Sequence, residues 1–239
     1  MMSDTLGERE VHVWSVRLDA SNSAVARFDR LLSPDEQARA GRFVFPHLRR
    51  SFTIARGALR VLLGRYLNQA PAEILFTHGP KGKPATAQPG RLKFNLSHSG
   101  KLALIALTLD CELGVDVEHF RPSPDLEQLA ARFFCADETA DLMSLPPPQR
   151  EAAFFRCWTR KEAYIKAIGD GLSAPLDAFA VTLRPDEPAR LLHLNGDPEP
   201  ARAWTMHDLQ PGTGYAAAMA YRDAARTVSL LDGGQLVSS

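Results

Sequence analysis

The stretch from Leu102 to Leu109 reads Leu-Ala-Leu-Ile-Ala-Leu-Thr-Leu, eight residues in which Thr108 is the single polar one. It is far shorter than the roughly 18 apolar residues of a membrane-spanning helix, and it lacks the alternation of a strand with one wet face. A strand buried on both faces fits it. Leu92–Leu96 reads as a second strand, and the polar Ser97-His98-Ser99-Gly100 between them suits the turn of a hairpin. Such strands need cover, and the chain supplies it. Helical spacing of apolar residues runs from Arg49 to Leu67 and again from about Gln149 to Ile168, closing at Gly169.

Each long helix has strands for company. Val11–Leu18 alternates with period two. Ser33-Pro34-Asp35-Glu36 gives a helix start with an N-cap, a proline in the first turn and two acids. In the second half, Leu113-Gly114-Val115-Asp116-Val117-Glu118 alternates, with Leu113, Val115 and Val117 on one face and Asp116 and Glu118 on the other. After the loop Arg121-Pro122-Ser123-Pro124, helices are read from Asp125 to Phe134 and from Asp137 to Leu145, the latter ended by Pro146-Pro147-Pro148. Short strands are read at Phe179–Leu183, around Ala203–Thr205, at Tyr215–Tyr221 and at Thr227–Leu231. The fold class is α+β.

At 239 residues with 45% hydrophobic side chains, the chain builds one large domain or two small ones. The 28 basic and 28 acidic residues balance, which argues against a general nucleic-acid binder. No stretch has the makings of a membrane span, and the acidic N-terminus lacks the basic and apolar regions of a signal peptide. Cys111, Cys135 and Cys157 form no C-x-x-C pair, so free thiols in a reducing, cytoplasmic setting are expected.

Two features carry chemistry. Asp116 and Glu118 put like charges on one side of an otherwise apolar strand; a solvated strand face explains them as simply as a bound cation does. On the second long helix, Phe154, Trp158, Ile165 and Ile168 form the apolar stripe, and Glu162 lies at its edge, about 40° from Trp158. That carboxylate is either an ion-pair partner, with Lys166 four residues on, or a metal ligand. Three acids from a strand and a helix, with no Cys/His set, point to a hard divalent cation such as Mg2+, whose shell is completed by water and phosphate oxygens. Arg39, Arg42, Arg49, Arg50, Lys81, Lys83, Lys161 and Lys166 agree with phosphate chemistry. The loop His78–Pro84 is no Walker A motif, and Ser97-His98 lacks the acid and the elbow of a hydrolase triad.

In order and spacing, four blocks resemble the 4′-phosphopantetheinyl transferase superfamily, of the larger Sfp type. They are Gly82-Lys83-Pro84, Phe94-Asn95-Leu96-Ser97-His98-Ser99-Gly100, Gly114-Val115-Asp116-Val117-Glu118, and the segment from Phe154 to Lys166 with Trp158, Thr159, Lys161, Glu162 and Ala163. Fainter likeness extends through Leu32-Ser33-Pro34, Arg56-Gly57-Ala58-Leu59-Arg60 and Gly171-Leu172-Ser173-Ala174-Pro175-Leu176.

The resemblance implies a pseudo-twofold monomer of two similar subdomains, 1–111 and 112–239, each a small antiparallel sheet with a long helix. It implies transfer of the phosphopantetheine arm of coenzyme A to a serine of an apo acyl, peptidyl or aryl carrier protein, with release of 3′,5′-ADP. By the same resemblance Asp116, Glu118 and Glu162 hold Mg2+ (or Mn2+), Glu162 accepts the serine proton, and Lys166 stabilises the leaving group. Ser97, His98 and Lys161 meet phosphate oxygens, and Lys83 lies near the nucleotide. Arg39 and Arg42 fit a further phosphate site; Ser51 stands where a basic residue is common, so Arg49 or Arg50 takes its place. Carrier docking is expected along His119–Met143. The same acids and lysines also fit a Mg2+-dependent nucleotide hydrolase, or a non-catalytic module binding coenzyme A or a carrier.

Overall fold

Two long helices organise the chain, each laid on its own sheet. The computed structural model describes residues 5–88, 90–121, 125–169 and 175–238; residues 122–124 of the expected loop and 171–174 of the downstream likeness lie outside these. The first half contains β1 (Glu10–Arg17), α1 (Asn22–Asp29), α2 (Pro34–Gly41), α3 (Pro46–Leu67), β2 (Phe76–His78), β3 (Pro84–Thr86), β4 (Leu92–Ser99) and β5 (Leu102–Leu109). The second contains β6 (Leu113–His119), α4 (Leu126–Phe133), α5 (Ala136–Ser144), α6 (Pro147–Ile168), β7 (Phe179–Val181), β8 (Leu191–Leu194), β9 (Thr205–Leu209), β10 (Tyr215–Tyr221), β11 (Thr227–Asp232) and α7 (Gly234–Val237).

The main sheets run β11-β1-β5-β4 and β6-β10-β9, antiparallel except where β11 pairs parallel with β1. The apolar run of β5 is explained by its central place. Ala103, Ile105 and Leu107 pack with Ile54, Leu59 and Leu62 of α3, while Leu102, Leu104 and Ala106 meet Leu113, Val115, Val117 and Met219 of the other sheet. The outer side of that sheet, with Ala218 and Ala220, packs on α6. The result is an α-β-β-α stack. The returning β11 and α7 belong to the first sheet and its core, so the tail crosses a division of the chain at residue 112.

Several elements depart from the sequence reading. Ser97, His98 and Ser99 continue β4, and the turn is only Gly100-Lys101, with Gly100 at φ 57°. The polar residues obey the strand period instead of ending it. Pro147 and Pro148 do not merely stop α5; they open α6, whose first turn needs no proline N–H. β2, β3 and β8, three or four residues each, are too short to show a period. Ala203 closes a 3-10 turn, and the strand begins at Thr205. Burial on α6 also spreads beyond the expected stripe: Thr159, Arg160, Lys161 and Glu162 are buried, whereas Ile168 is exposed. Among the described residues no helix is long and apolar enough to cross a membrane, and all three cysteines are free thiols.

Candidate active site

The two sheets meet at β4 and β6, where side chains of one strand bond the backbone of the other. Val115 N–H donates to Asn95 Oδ1 (2.9 Å), Val117 N–H to Ser97 Oγ (3.4 Å) and His119 N–H to Ser99 Oγ (3.1 Å). The two hydroxyls pass the contact on. Ser97 Oγ donates to Asp116 Oδ1 (2.8 Å), and Ser99 Oγ to Glu118 Oε2 (2.7 Å). Two alternate hydroxyls of β4 thus orient the acids of β6, while Asn95 holds the strand itself.

On β6 Asp116 is buried at 3% exposure, so it does not sit on a solvated face, whereas Glu118 is half-buried; Glu162 on α6 is 8% exposed. Lys166 Nζ donates to Asp116 Oδ1 (2.6 Å) and to Ser97 Oγ (2.9 Å). Gly114 makes this approach feasible, because a Cβ there would lie 2.1 Å from Ala163 O and 2.4 Å from Ala167 N. Burial, and then the charge of Asp116, push the Glu162 carboxyl above its ordinary range against the pull of Lys166. Burial also raises Glu118, with Asp116 adding to it and the Ser99 hydroxyl opposing.

Two oxygens in this cluster, Asp116 Oδ2 and Glu162 Oε1, are buried without a hydrogen-bond partner. Orphaned carboxylate oxygens are costly, and a hard cation is the group their chemistry fits. Among the described residues no three His, Cys, Asp or Glu side chains already stand as a ready-made metal cage, and Lys166 lies against Asp116. The donor chemistry fits Mg2+, and Asp116 is ion-paired with Lys166.

Beside this cluster, reached through Ser97 and Lys166, a cleft of about 520 Å3 opens toward the first half, lined by Arg39, Arg42, Arg56, Ser97, His98 and Lys166 together with Asp35 and Glu36, with Gly82 and Pro84 at its wall. Arg39 lies over the Phe52 ring (5.4 Å to its centre) and Arg56 over Phe76 (3.9 Å). Glu36 accepts from Arg56 Nε, from Arg60 Nε (2.7 Å) and from its own cap residue, Ser33 N–H (2.9 Å). His98 stands at the open cleft, but the protein around its ring, together with Lys166 and Arg39, pushes its pKa down. The imidazole is therefore neutral near pH 7. Arg56 was missed as a site residue; a basic side chain within the apolar periodicity of α3 was the signal.

Other assignments fall outside the cleft. Lys161 is fully buried, and its Nζ pairs with Glu138 (2.7 Å) and donates to Leu176 O (2.8 Å), so it does not meet phosphate. Arg50 donates to Asn22 Oδ1 (2.7 Å) and to Ala20 O, and with the exposed Arg49 lines a separate depression against α1. Lys83 turns its amine away from the cleft, to Glu112, Leu113 O and Ala167 O.

A cationic cleft ending in buried carboxylates suits an enzyme that handles a polyphosphate donor. A family described as the 4′-phosphopantetheinyl transferase superfamily matches residues 112–220, and a second, described as 4′-phosphopantetheinyl transferase, N-terminal, matches residues 17–109. The chain is 45% identical to the 4′-phosphopantetheinyl transferase HetI of Nostoc sp., over 90% of this chain and 89% of that one. It is 31% identical to the 4′-phosphopantetheinyl transferase Sfp of Bacillus subtilis, over 87% and 96%, and 35% identical to psf-1 of Bacillus pumilus, over 73% and 74%. The chain belongs to the 4′-phosphopantetheinyl transferase superfamily. It is a holo-carrier-protein synthase of that family, with coenzyme A as substrate and carrier proteins as partners.

Proposed function

We propose that the cleft holds the phosphorylated nucleotide end of coenzyme A against Arg39, Arg42 and His98, and that transfer occurs at the Asp116–Glu118–Glu162 cluster. The serine oxygen of the carrier attacks the phosphorus next to the pantetheine arm. The bond to the bridging oxygen breaks, and 3′,5′-ADP leaves. Glu162 takes the serine proton, directly or through a water. Lys166 meets the negative charge that builds on the leaving oxygen. Asp116, Glu118 and Glu162 would hold Mg2+ (or Mn2+), which when bound supplies charge neutralisation for the pyrophosphate. The observation that carries this reading is the pair of buried, partnerless oxygens Asp116 Oδ2 and Glu162 Oε1 at the end of an arginine-lined cleft.

The carrier approaches over His119–Met143. A groove of about 210 Å3 lined by Glu118, Arg121, Leu129, Phe154, Phe155 and Trp158 supports this, since it joins the acids to the start of that stretch. We propose that the protein acts as a monomer, and in the cytoplasm, the latter supported by its unpaired thiols. Intact-mass spectrometry of an apo carrier incubated with the protein, coenzyme A and Mg2+ tests the whole. One added phosphopantetheine is expected, lost with EDTA and with a carrier lacking its serine. Release of 3′,5′-ADP without a carrier, or binding of coenzyme A without transfer, would overturn it in favour of a hydrolase or a binding module.

A further inference from the structure

Lys83 sits after a tight turn between β2 and β3, in which Gly82 N–H donates to Gly79 O (2.9 Å) and Gly79 N–H to Lys83 O (2.8 Å). Its neighbours Gly82 and Pro84 line the cleft, yet its own side chain crosses to the second half of the molecule. There the ammonium has three acceptors: Glu112 Oε2 (2.7 Å), Leu113 O (3.1 Å) and Ala167 O (2.9 Å). Leu113 opens β6, the strand of Asp116 and Glu118; Ala167 follows Lys166 in the last turn of α6. The stem of Lys83 also lies over the helix cap, with Cδ 3.4 Å from where a Cβ on Gly169 would stand.

The last carbonyls of a helix have no partner within it, and the helix dipole places partial negative charge on them. At this end Gly169 N–H takes Ile165 O, and the Lys83 ammonium takes Ala167 O. A single donor thus holds the final turn of α6 to the first residue of β6. We infer that Lys83 is a positioning residue for the transfer reaction, fixing the turn that carries Lys166 against the strand that carries Asp116. The inference rests on the catalytic reading above, and it assigns the lysine no contact with nucleotide.

The test compares wild type with Lys83→Met in carrier loading, reading kcat and KM for coenzyme A, alongside calorimetric affinity for 3′,5′-ADP and a thermal melt. If wild type loads no carrier, the catalytic reading fails first and separately. Given wild-type loading, kcat should fall about tenfold in Lys83→Met, a turn displaced by less than 1 Å being enough, while affinity for 3′,5′-ADP stays within threefold. In a Lys166→Met background the same substitution should change kcat less than twofold, because it acts through that lysine. Lys83→Arg, which keeps a cation at the helix end, should restore most of the rate. If Lys83→Met does not fold, Lys83→Gln serves in its place with the same expected pattern. A tenfold loss of 3′,5′-ADP affinity at unchanged kcat would make Lys83 a nucleotide ligand and overturn the inference. So would a lower melting temperature with unchanged kcat, or an effect that adds fully to that of Lys166→Met.

Discussion

Substituting Gly114 by alanine adds one carbon at the tightest contact between β6 and α6. The new Cβ would stand 2.1 Å from Ala163 O, 2.4 Å from Ala167 N and 2.9 Å from the carbonyl carbon of Lys166, all backbone atoms that cannot swing aside. Ordinary contact starts near 3.4 Å, so strand and helix must separate by about 1.3 Å at this point. Overpacking of this kind costs about 1–3 kcal/mol, and backbone on both sides puts the cost at the upper end. For a chain of this length about 3 kcal/mol lowers Tm by about 6–12 °C. The rate should suffer more. The Lys166 to Asp116 contact, now 2.6 Å, would pass beyond the ~3.2 Å limit of a good hydrogen bond, and a displacement of about 1 Å costs on the order of 100-fold in kcat. Calorimetric melting and carrier loading on one preparation read both quantities. Gly41→Ala is the control: nothing lies within 4 Å of its Cβ, and alanine in a helix is favoured by up to about 1 kcal/mol. A Gly114→Ala enzyme with Tm within 2 °C of wild type and kcat within threefold would refute the argument that this glycine sets the distance between the two sets of charges.

Three other outcomes are expected. Glu162→Gln should cut transfer by about 10³-fold. Mg2+ at tenfold its Kd should stabilise the wild type by about 1.4 kcal/mol, and an equal rise in melting temperature in the variant would remove Glu162 from the metal site. His98 is depressed in the folded state, so the folded protein binds fewer protons than the unfolded chain between its lowered pKa and 6.5. Its contribution to stability is complete above pH 6.5 and lost as pH falls through the folded value; denaturant melts from pH 7.5 to 5 should show that slope flattened in His98→Gln, and an unchanged slope counts against it. Lys161→Met leaves the buried Glu138 with only the Cys135 and Val181 amides and no counter-charge, costing about 3 kcal/mol, with coenzyme A affinity unaltered in the folded fraction; lost affinity at full stability would return Lys161 to the cleft.

The acids were legible because their spacing is geometric. Asp116 and Glu118 share a strand face, and Glu162 and Lys166 are one helical turn apart, so pattern alone fixed which side each pair shows. Lys161 defeated the same reasoning. Adjacent residues on a helix point about 100° apart, so while Glu162 faces β6, Lys161 faces α5 and the segment before β7. Arg49 lies nearly in line with Arg56 but about 10 Å earlier along α3, too far back to line the cleft. The amine of Lys83 and the pairing of β11 with β1 depend on partners far along the chain, which local pattern does not carry. The polar side chains of β4 looked like a turn because their partners on β6 are twenty residues away.

The division of charge between the halves explains why the site lies where it does. Arg39, Arg42 and Arg56 come from the first half, and Asp116, Glu118 and Glu162 from the second. Either set alone faces like charges at close range. Glu36 relieves the first by pairing with Arg56 and Arg60, and is held ionised: burial alone would raise its pKa, but the Ser33 amide and the two guanidinium groups outweigh it. In the second, Lys166 is, among the described residues, the one cation touching the acids through a hydrogen bond, so its single charge faces three carboxylates. Burial raises Glu118 and Glu162, and the remaining imbalance adds to it. Under the proposed function, a donor carrying phosphates and a divalent cation would answer both excesses together, anion toward the arginines and cation toward the acids. Ser97 stands where they meet, its hydroxyl shared among the β6 backbone, Asp116 and Lys166 while it lines the cleft. A seam made of side chains keeps such a group available; a backbone ladder between β4 and β6 would have spent those amides on carbonyls and left the carboxylates without the hydroxyls that orient them.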